Sequence, residues 1–112
     1  MKKKSVAGKT FSERVTEAVV TIPSGRVTTY GRLARAAGGG NMASQSITSI
    51  LAKAHREQGL AIPFHRIVYA DGKIWTSPEY HAKRLALYKK EGIIIEKGNT
   101  IKDFNEIVFE FT

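Results

Sequence analysis

The chain has 112 residues, the length of one domain with a modest hydrophobic core. Its 18 lysines and arginines against 10 acidic residues give a net charge of +8, which favours a polyanionic partner such as nucleic acid, although simple solubility would also explain it. There is no cysteine, which excludes disulfides, thiolate metal sites and a cysteine nucleophile. No apolar run approaches the ~20 residues that cross a bilayer, and the basic start has no apolar stretch behind it. We therefore expect a cytoplasmic protein with no membrane partner.

Residues 1–9 are basic, and we predict a disordered tail there, followed by a single domain over residues 10–112. Thr10 is expected to open the first helix, because Glu13 stands where the second member of a capping box is required. The helix is ended by Pro23-Ser24-Gly25. Its apolar face is predicted from residues at helical spacing: Phe11, Val15, Val19 and Ile22.

A second helix is predicted from about Tyr30 to Ala37, after the extended connector 26–29. Three consecutive glycines at 38–40 then break it, since glycine has wide backbone freedom. Asn41 is suited to cap a third helix, from about Met42 to Gln58. The first turns of that helix carry small polar side chains: Ser44, Gln45, Ser46, Thr48 and Ser49.

Two short helices, a glycine turn and a helix with a small polar leading face form a helix-turn-helix pattern. Small side chains would let the backbone approach DNA closely, and helix N-termini suit phosphates. Arg26, Arg32 and Arg35 lie just upstream, where they would hold the phosphate backbone. An ordinary three-helix core with a solvated basic face fits the same residues equally well.

Asp71-Gly72 lies between two apolar runs, which predicts a β-hairpin. A hairpin after a helix-turn-helix forms a wing, so the expected fold is mainly α, a winged helix-turn-helix-like domain with a small β-hairpin wing. Ser77-Pro78 predicts the start of a fourth helix that runs to about Lys90. The apolar residues 93–95 and 107–109 are expected either to pair as two strands or to cover the core.

The order of these segments resembles the DNA-binding domain of the O6-alkylguanine-DNA alkyltransferases over roughly residues 10–110. Two motifs carry the resemblance, Ile-Pro-Ser-Gly-Arg-Val-Thr-Thr-Tyr-Gly at 22–31 and Pro-Phe-His-Arg at 63–66. In the transferases the residue between the proline and the histidine is the acceptor cysteine. Here it is Phe64, whose ring has no lone pair with which to attack an alkyl carbon. The resemblance therefore narrows to the alkyltransferase-like proteins, which bind alkylated DNA without repairing it.

The resemblance implies that the third helix enters the minor groove and that the target guanine is rotated into a pocket. Tyr30 matches the tyrosine that presses against the phosphate of the flipped nucleotide, although a tyrosine at a helix start is otherwise often a core residue. With its neighbour Thr29 and with Arg26 and Arg32, it makes up the expected DNA contact. The family inserts an arginine into the base stack, and this sequence has none at that place. Gln45 is placed there, with Ser44 as the alternative.

Phe64 would line the pocket at the position of the missing cysteine. Trp75 would either stack in this pocket or pack the wing, and Ser77 is assigned to the pocket with it, although this segment departs from the family's tyrosine-serine-glycine pattern. His65 and Glu91 match the histidine and glutamate of the transferases' catalytic unit. Without a nucleophile they are expected to form a structural hydrogen-bonded pair under the pocket. The alternative is that Glu91 is a solvated residue at a helix end.

Three functions are compatible with the sequence to different degrees. The first is a non-enzymatic sensor of O6-alkylguanine in double-stranded DNA that marks lesions for nucleotide excision repair proteins. The second is a general winged-helix DNA-binding or regulatory protein without lesion selectivity. The third is an enzyme that uses His65 and Glu91 in a hydrolytic step, which no nucleophile or metal-ligand cluster in the sequence supports. We expect a monomer with no cofactor and no metal site.

Overall fold

The computed structural model describes residues 9–40 and 42–111, and in this part the chain is mainly helical. The helices are α1 (Phe11–Val19), α2 (Tyr30–Ala36), α3 (Ile47–Gln58), α4 (His81–Lys90) and the short α5 (Phe104–Ile107), with 3₁₀ helices at Ala43–Ser46 and Phe64–Arg66. The strands are β1 (Thr28–Thr29), β2 (Ile67–Val68), β3 (Ile95–Glu96) and β4 (Thr100–Ile101). The predicted class, a mainly α domain of winged-helix type with a small hairpin, is confirmed. None of the helices described is long and apolar enough to cross a membrane.

The predicted capping box at the start of α1 is present. The Thr10 hydroxyl accepts a hydrogen bond from the Glu13 amide at 3.1 Å, and the Glu13 carboxylate accepts one from the Thr10 amide at 2.8 Å. Of the predicted tail, residues 1–8 lie outside the described residues. Lys9, the last residue of that tail, lies with its ammonium 2.7 Å from the Glu17 carboxylate. The prediction that α1 reaches Pro23 was wrong, since the helix ends at Val19.

Two buried clusters meet along the parallel pair β1–β2. The first lies between α1, α2 and α3, and the second lies between β2, α4 and the C-terminal segments. In the pair, Thr28 lies beside Ile67 and Thr29 beside Val68. This register brings the two sequence motifs, which are separated by more than thirty residues, to one place in the fold.

The hairpin predicted around Asp71-Gly72 is only partly correct. The turn exists, since the Gly72 amide donates to the Tyr69 carbonyl and the Tyr69 amide donates to the Lys73 carbonyl, both at 2.9 Å. However, β2 pairs with β1, and Lys73 instead bridges to Thr100. The antiparallel hairpin is formed by β3 and β4. The turn signal was local and correct, whereas the strand partner depended on the distant β1.

The C-terminal apolar segments do not pair with each other as two strands. Ile95 pairs with Ile101 inside the β3–β4 hairpin. Val108 instead forms a parallel bridge to Val27, and the Phe109 amide donates to the Val27 carbonyl at 2.7 Å. The last segment therefore extends the β1 side of the fold and covers the first cluster with Phe109 and Phe111.

Two helix starts differ from the predicted ones. Helix α3 begins at Ile47 because the preceding residues Ala43–Ser46 form a 3₁₀ helix, and the predicted cap Asn41 lies outside the described residues. Helix α4 begins at His81 rather than at Pro78. The Ser77 hydroxyl accepts a hydrogen bond from the Tyr80 amide at 3.4 Å, so it closes a turn ahead of the helix instead of capping the helix itself.

Gly39 lies where α2, the following 3₁₀ helix and α1 come closest. A Cβ atom there would lie 2.5 Å from the Ala43 Cβ and 2.8 Å from the Phe11 ring. At Gly40 a Cβ would meet nothing within 4 Å. We expect Gly39→Ala to lower the free energy of unfolding by about 2 kcal/mol, because overpacking forces neighbouring groups apart. Gly40→Ala, measured in the same urea titrations, should be nearly neutral, and equal stability of the two variants would contradict the packing argument.

Candidate nucleic-acid interface

A cavity of about 500 Å³ opens beside the meeting point of the two motifs, within the size range of small-molecule pockets. We call it the aromatic cavity, because rings make up much of its wall. It is lined by Tyr30, Ser44, Gln45, Thr48, Phe64, Ile67, Tyr69, Trp75 and Arg84. A larger depression of about 740 Å³ lies between α1 and α3, but Glu13, Glu17 and Glu57 line it against the single cation Lys53. That acidic wall does not suit a polyanion, so we place the functional site at the aromatic cavity.

Phe64, at the position of the acceptor cysteine of the transferases, forms part of the cavity wall. It opens the 3₁₀ helix Phe64–Arg66 and packs against the first buried cluster. The His55 ring meets it edge-on, with the ring centroids 6.3 Å apart. His55 is itself held by a hydrogen bond of 2.8 Å between its Nδ1 and the Leu60 carbonyl. The phenyl ring is therefore supported from behind and presents a fixed apolar surface to the cavity.

Tyr30 is the first residue of α2, and its phenol faces the cavity. Its ring lies 5.9 Å from the Tyr69 ring. Burial raises the pKa of Tyr30, so the phenol stays neutral at physiological pH and keeps a proton to donate. Thr29 is buried, and its hydroxyl caps α2 by accepting a hydrogen bond from the Arg32 amide at 3.1 Å. The Thr29 side chain thus positions Tyr30 and does not face solvent.

The sequence left two positions open for Trp75, stacked in the pocket or packed on the wing. In the structure it lines the aromatic cavity. The Arg84 guanidinium lies 5.0 Å from the centroid of its ring, a cation–π distance, and the Tyr80 ring is 6.2 Å away. Ser77 does not line the cavity, because its hydroxyl is turned to the Tyr80 amide.

Gln45 and Ser44 both line the aromatic cavity from the 3₁₀ helix Ala43–Ser46. Gln45 is exposed, and its amide nitrogen has a long contact of 3.9 Å to the Met42 sulfur. An exposed side chain held this weakly is free to move towards a ligand. The geometry brings both alternatives for the missing arginine to the same edge of the cavity.

The predicted phosphate contacts Arg26 and Arg32 lie outside the cavity wall. The Arg26 guanidinium donates to the Glu106 carbonyl at 2.9 Å, and the Arg32 guanidinium lies 3.1 Å from the Glu110 carboxylate. Both arginines are therefore engaged by the C-terminal segment. A phosphate bound at this surface would have to displace these two exposed contacts, each of which contributes little to stability.

The four lining residues that sequence reasoning missed are Thr48, Ile67, Tyr69 and Arg84. A signal for Arg84 was available, since Tyr80, Arg84 and Tyr88 follow one another at a spacing of four residues. Tyr69 ends the apolar run before Asp71-Gly72, and its place in the cavity follows from the β1–β2 pairing.

His65 and Glu91 form a buried hydrogen-bonded pair below the cavity. The Glu91 Oε2 atom lies 2.6 Å from the His65 Nε2 and 2.7 Å from an Arg66 guanidinium nitrogen, and its Oε1 accepts the Gly25 amide at 2.9 Å. The Glu91 side chain is 7% exposed, so it is not a solvated residue at a helix end. Burial alone would raise the pKa of Glu91, but the hydrogen bonds from Arg66, Gly25 and His65 lower it to about 2.

The carboxylate ties the second motif to the turn of the first. Arg66 also donates to the Ile22 carbonyl at 2.8 Å, and the Tyr88 hydroxyl donates to the His65 carbonyl. Burial raises the pKa of Tyr88 to about 12, so that donor stays protonated. Both oxygens of Glu91 therefore accept hydrogen bonds within the fold. Within residues 9–40 and 42–111, no group of three or more His, Cys, Asp or Glu side chains is placed to hold a metal ion.

Comparison with known proteins identifies the family of the chain. The family model described as 6-O-methylguanine DNA methyltransferase, DNA binding domain, matches residues 10–93. The chain belongs to this family. Since it contains no cysteine and carries Phe64 at the acceptor position, it is an alkyltransferase-like member.

This alkyltransferase-like chain is similar to other proteins in sequence and in structure. It is 36% identical over 92 residues to the DNA base-flipping proteins of Escherichia coli K12 and Shigella flexneri, which covers 81% of this chain and 68% of each relative. S. pombe ATL in complex with DNA superposes with a TM-score of 0.67 at 26% identity. S. pombe Atl1 in complex with damaged DNA containing O6-carboxymethylguanine superposes with a TM-score of 0.70 at 24% identity. Both alignments cover 90% of this chain and 95% of the other.

Proposed function

We propose that this alkyltransferase-like protein binds O6-alkylguanine in duplex DNA by rotating the nucleotide into the aromatic cavity, without modifying it. The observation that carries the proposal is the wall of that cavity, where Phe64 stands at the acceptor position and faces the same space as Tyr30 and Gln45. Relatives named as base-flipping proteins, and a similar protein bound to DNA, support it.

The aromatic wall suits a base that has left the helix. Flipping a nucleotide costs a few kcal/mol, and less where a lesion has already weakened the pairing. Stacking of the extruded base on an aromatic side chain returns about 1–3 kcal/mol. An alkyl group on O6 then lies against Phe64 and Ile67 instead of water. The protein thus favours a guanine that is weakly paired and carries an alkyl carbon on O6.

The 3₁₀ helix Ala43–Ser46 and the start of α3 form the element that approaches the minor groove in this proposal. Its small side chains allow close approach of the backbone. Gln45 fills the place of the flipped guanine and hydrogen-bonds to the unpaired cytosine. The Tyr30 hydroxyl donates a hydrogen bond to the phosphate of the flipped nucleotide. Because glutamine has no charge, we expect weaker binding than an arginine at this place would give.

No group transfer follows binding. The sequence holds no thiol, the Phe64 ring is no nucleophile, and both oxygens of the Glu91 carboxylate already accept hydrogen bonds within the fold. We propose that the bound complex marks the lesion for nucleotide excision repair proteins, and that the protein acts as a cytoplasmic monomer.

The direct test is a binding titration at near-physiological salt with two matched duplexes, one of which carries a single O6-methylguanine. We expect clearly tighter binding to the lesion duplex, because flipping is easier there and the methyl group enters an apolar wall. Equal affinities at matched salt would rule the proposal out.

The exposed, uncharged Gln45 favours a second candidate, a general winged-helix DNA-binding protein that has lost flipping. In that case binding would fall steeply with salt and would ignore both Tyr30→Phe and Phe64→Ala. Salt titrations of these two variants on both duplexes therefore separate the candidates.

A further inference from the structure

Arg84 is the charged side chain in the wall of the aromatic cavity. It is half-buried, reaches the cavity from α4 and lies over the Trp75 ring, with its guanidinium carbon 5.0 Å from the ring centroid. It also interacts with the Tyr88 hydroxyl. Among the ion pairs formed by the described residues, none involves Arg84. The cavity therefore contains a cation that Trp75 and Tyr88 hold in place and that has no carboxylate partner among the described residues.

A half-buried cation of this kind attracts an anion more strongly than an exposed one does. The low local dielectric strengthens the interaction, and the attraction is not divided with a resident carboxylate. Guanidinium groups also match carboxylates geometrically through two parallel N–H···O bonds. The cation–π contact with Trp75 restrains the guanidinium, so less freedom is lost when such a pair forms.

We infer that Arg84 makes the aromatic cavity select O6-substituents of guanine that end in a carboxylate over neutral substituents of the same size. The inference rests on the proposed function, because the substituent reaches Arg84 only if the nucleotide is flipped into the cavity. It goes further in naming the chemical class of lesion that binds best. Phe64 and Ile67 receive the base and the methylene of the substituent, while Arg84 receives the terminal carboxylate.

The experiment compares three duplexes of one sequence, with guanine, O6-carboxymethylguanine or its neutral amide, O6-carbamoylmethylguanine, at the target position. The two lesions have nearly the same size and differ in one negative charge. For the unaltered protein at physiological salt we expect about tenfold tighter binding to the carboxymethyl duplex than to the amide duplex, which is the scale of one charge-assisted hydrogen bond. This comparison needs no variant and so does not depend on how a variant folds.

Two variants then assign the effect to a residue. Arg84→Gln should make the affinities for the two lesions equal while both remain tighter than plain duplex. Lys83→Gln is the matched control, because it removes the same charge from the neighbouring exposed position of α4, outside the cavity. It should leave the ratio between the two lesions unchanged.

The outcomes separate this inference from the proposed function. If neither lesion binds more tightly than plain duplex, the proposed function is wrong. If both do, but the amide binds as tightly as the carboxylate, only the role of Arg84 is wrong. An equal loss of affinity for all three duplexes in Arg84→Gln would show a contact to the DNA backbone instead, and would also overturn the inference.

Discussion

Replacing Glu91 by alanine is expected to lower the free energy of unfolding by about 3–5 kcal/mol, the loss found when one member of a buried ion pair is removed. The carboxylate holds donors from His65, Arg66 and the Gly25 amide, which belong to two different motifs. Without it, the Arg66 charge and the Gly25 amide lose their acceptor in a place with little water. Urea denaturation monitored by circular dichroism measures the change.

The matched control is Glu57→Ala, which removes the same charge from an exposed position of α3. It should change the free energy of unfolding by no more than about 0.5 kcal/mol, as is usual at the surface. If the two variants were equally stable, the network around Glu91 would not hold the motifs together.

The same carboxylate gives the protein a defined acid sensitivity. Its pKa is lowered from 4.5 in the unfolded chain to about 2 in the fold, so the ionised form stabilises the fold at neutral pH. This contribution, about 3 kcal/mol, is present above pH 4.5 and is lost as the pH falls towards 2. Glu91→Gln should remove this part of the pH dependence. A stability profile between pH 5 and 2 that is unchanged by Glu91→Gln would contradict the assignment.

Phe64→Ala is expected to reduce affinity for an O6-methylguanine duplex on the order of 10- to 100-fold, which corresponds to the loss of one stacking wall. Affinity for plain duplex should stay nearly the same, because that binding depends on phosphate contacts and not on the cavity. Fluorescence anisotropy with the two matched duplexes measures both numbers on one protein preparation.

Phe109→Ala provides the matched control for that variant. Phe109 is also half-buried and packs on the first cluster, but it lies on the C-terminal segment away from the aromatic cavity. It should lower stability without changing the ratio between lesion and plain duplex. If Phe64→Ala and Phe109→Ala affected this ratio alike, the effect would come from general destabilisation and not from the cavity wall.

The network around Glu91 also explains why a chain without a nucleophile retains a histidine and a glutamate at these places. In the transferases the positions of His65 and Glu91 belong to a catalytic unit. Here the glutamate joins Arg66 and Gly25 as well, so it holds the 3₁₀ helix that carries Phe64 against the turn before β1. The contacts of Glu91 with His65, Arg66 and Gly25 therefore position the part of the cavity wall that Phe64 forms.

Local features of the fold were predicted well. The capping box at Thr10, the turn at Asp71-Gly72 and the apolar face of α1 depend on residues within a few positions of one another, so their chemistry is complete in the sequence. The two motifs likewise identified the family, because their residue types and order carry that information without coordinates.

The tertiary structure decided what depends on distant partners. Strand β2 could pair either with the segment after its own turn or with β1. The choice depends on which pairing buries more apolar surface, and β1 lies some forty positions away in the sequence. The same pairing turns Tyr69 into the cavity, and the start of α4 at His81 places Arg84 over Trp75. Sequence alone therefore determined the family, the absence of a thiol and Phe64 in its place. Only the packing of remote segments, driven by burial that no local pattern encodes, decided which side chains share the cavity. One of them is Arg84, which forms no ion pair with the described residues.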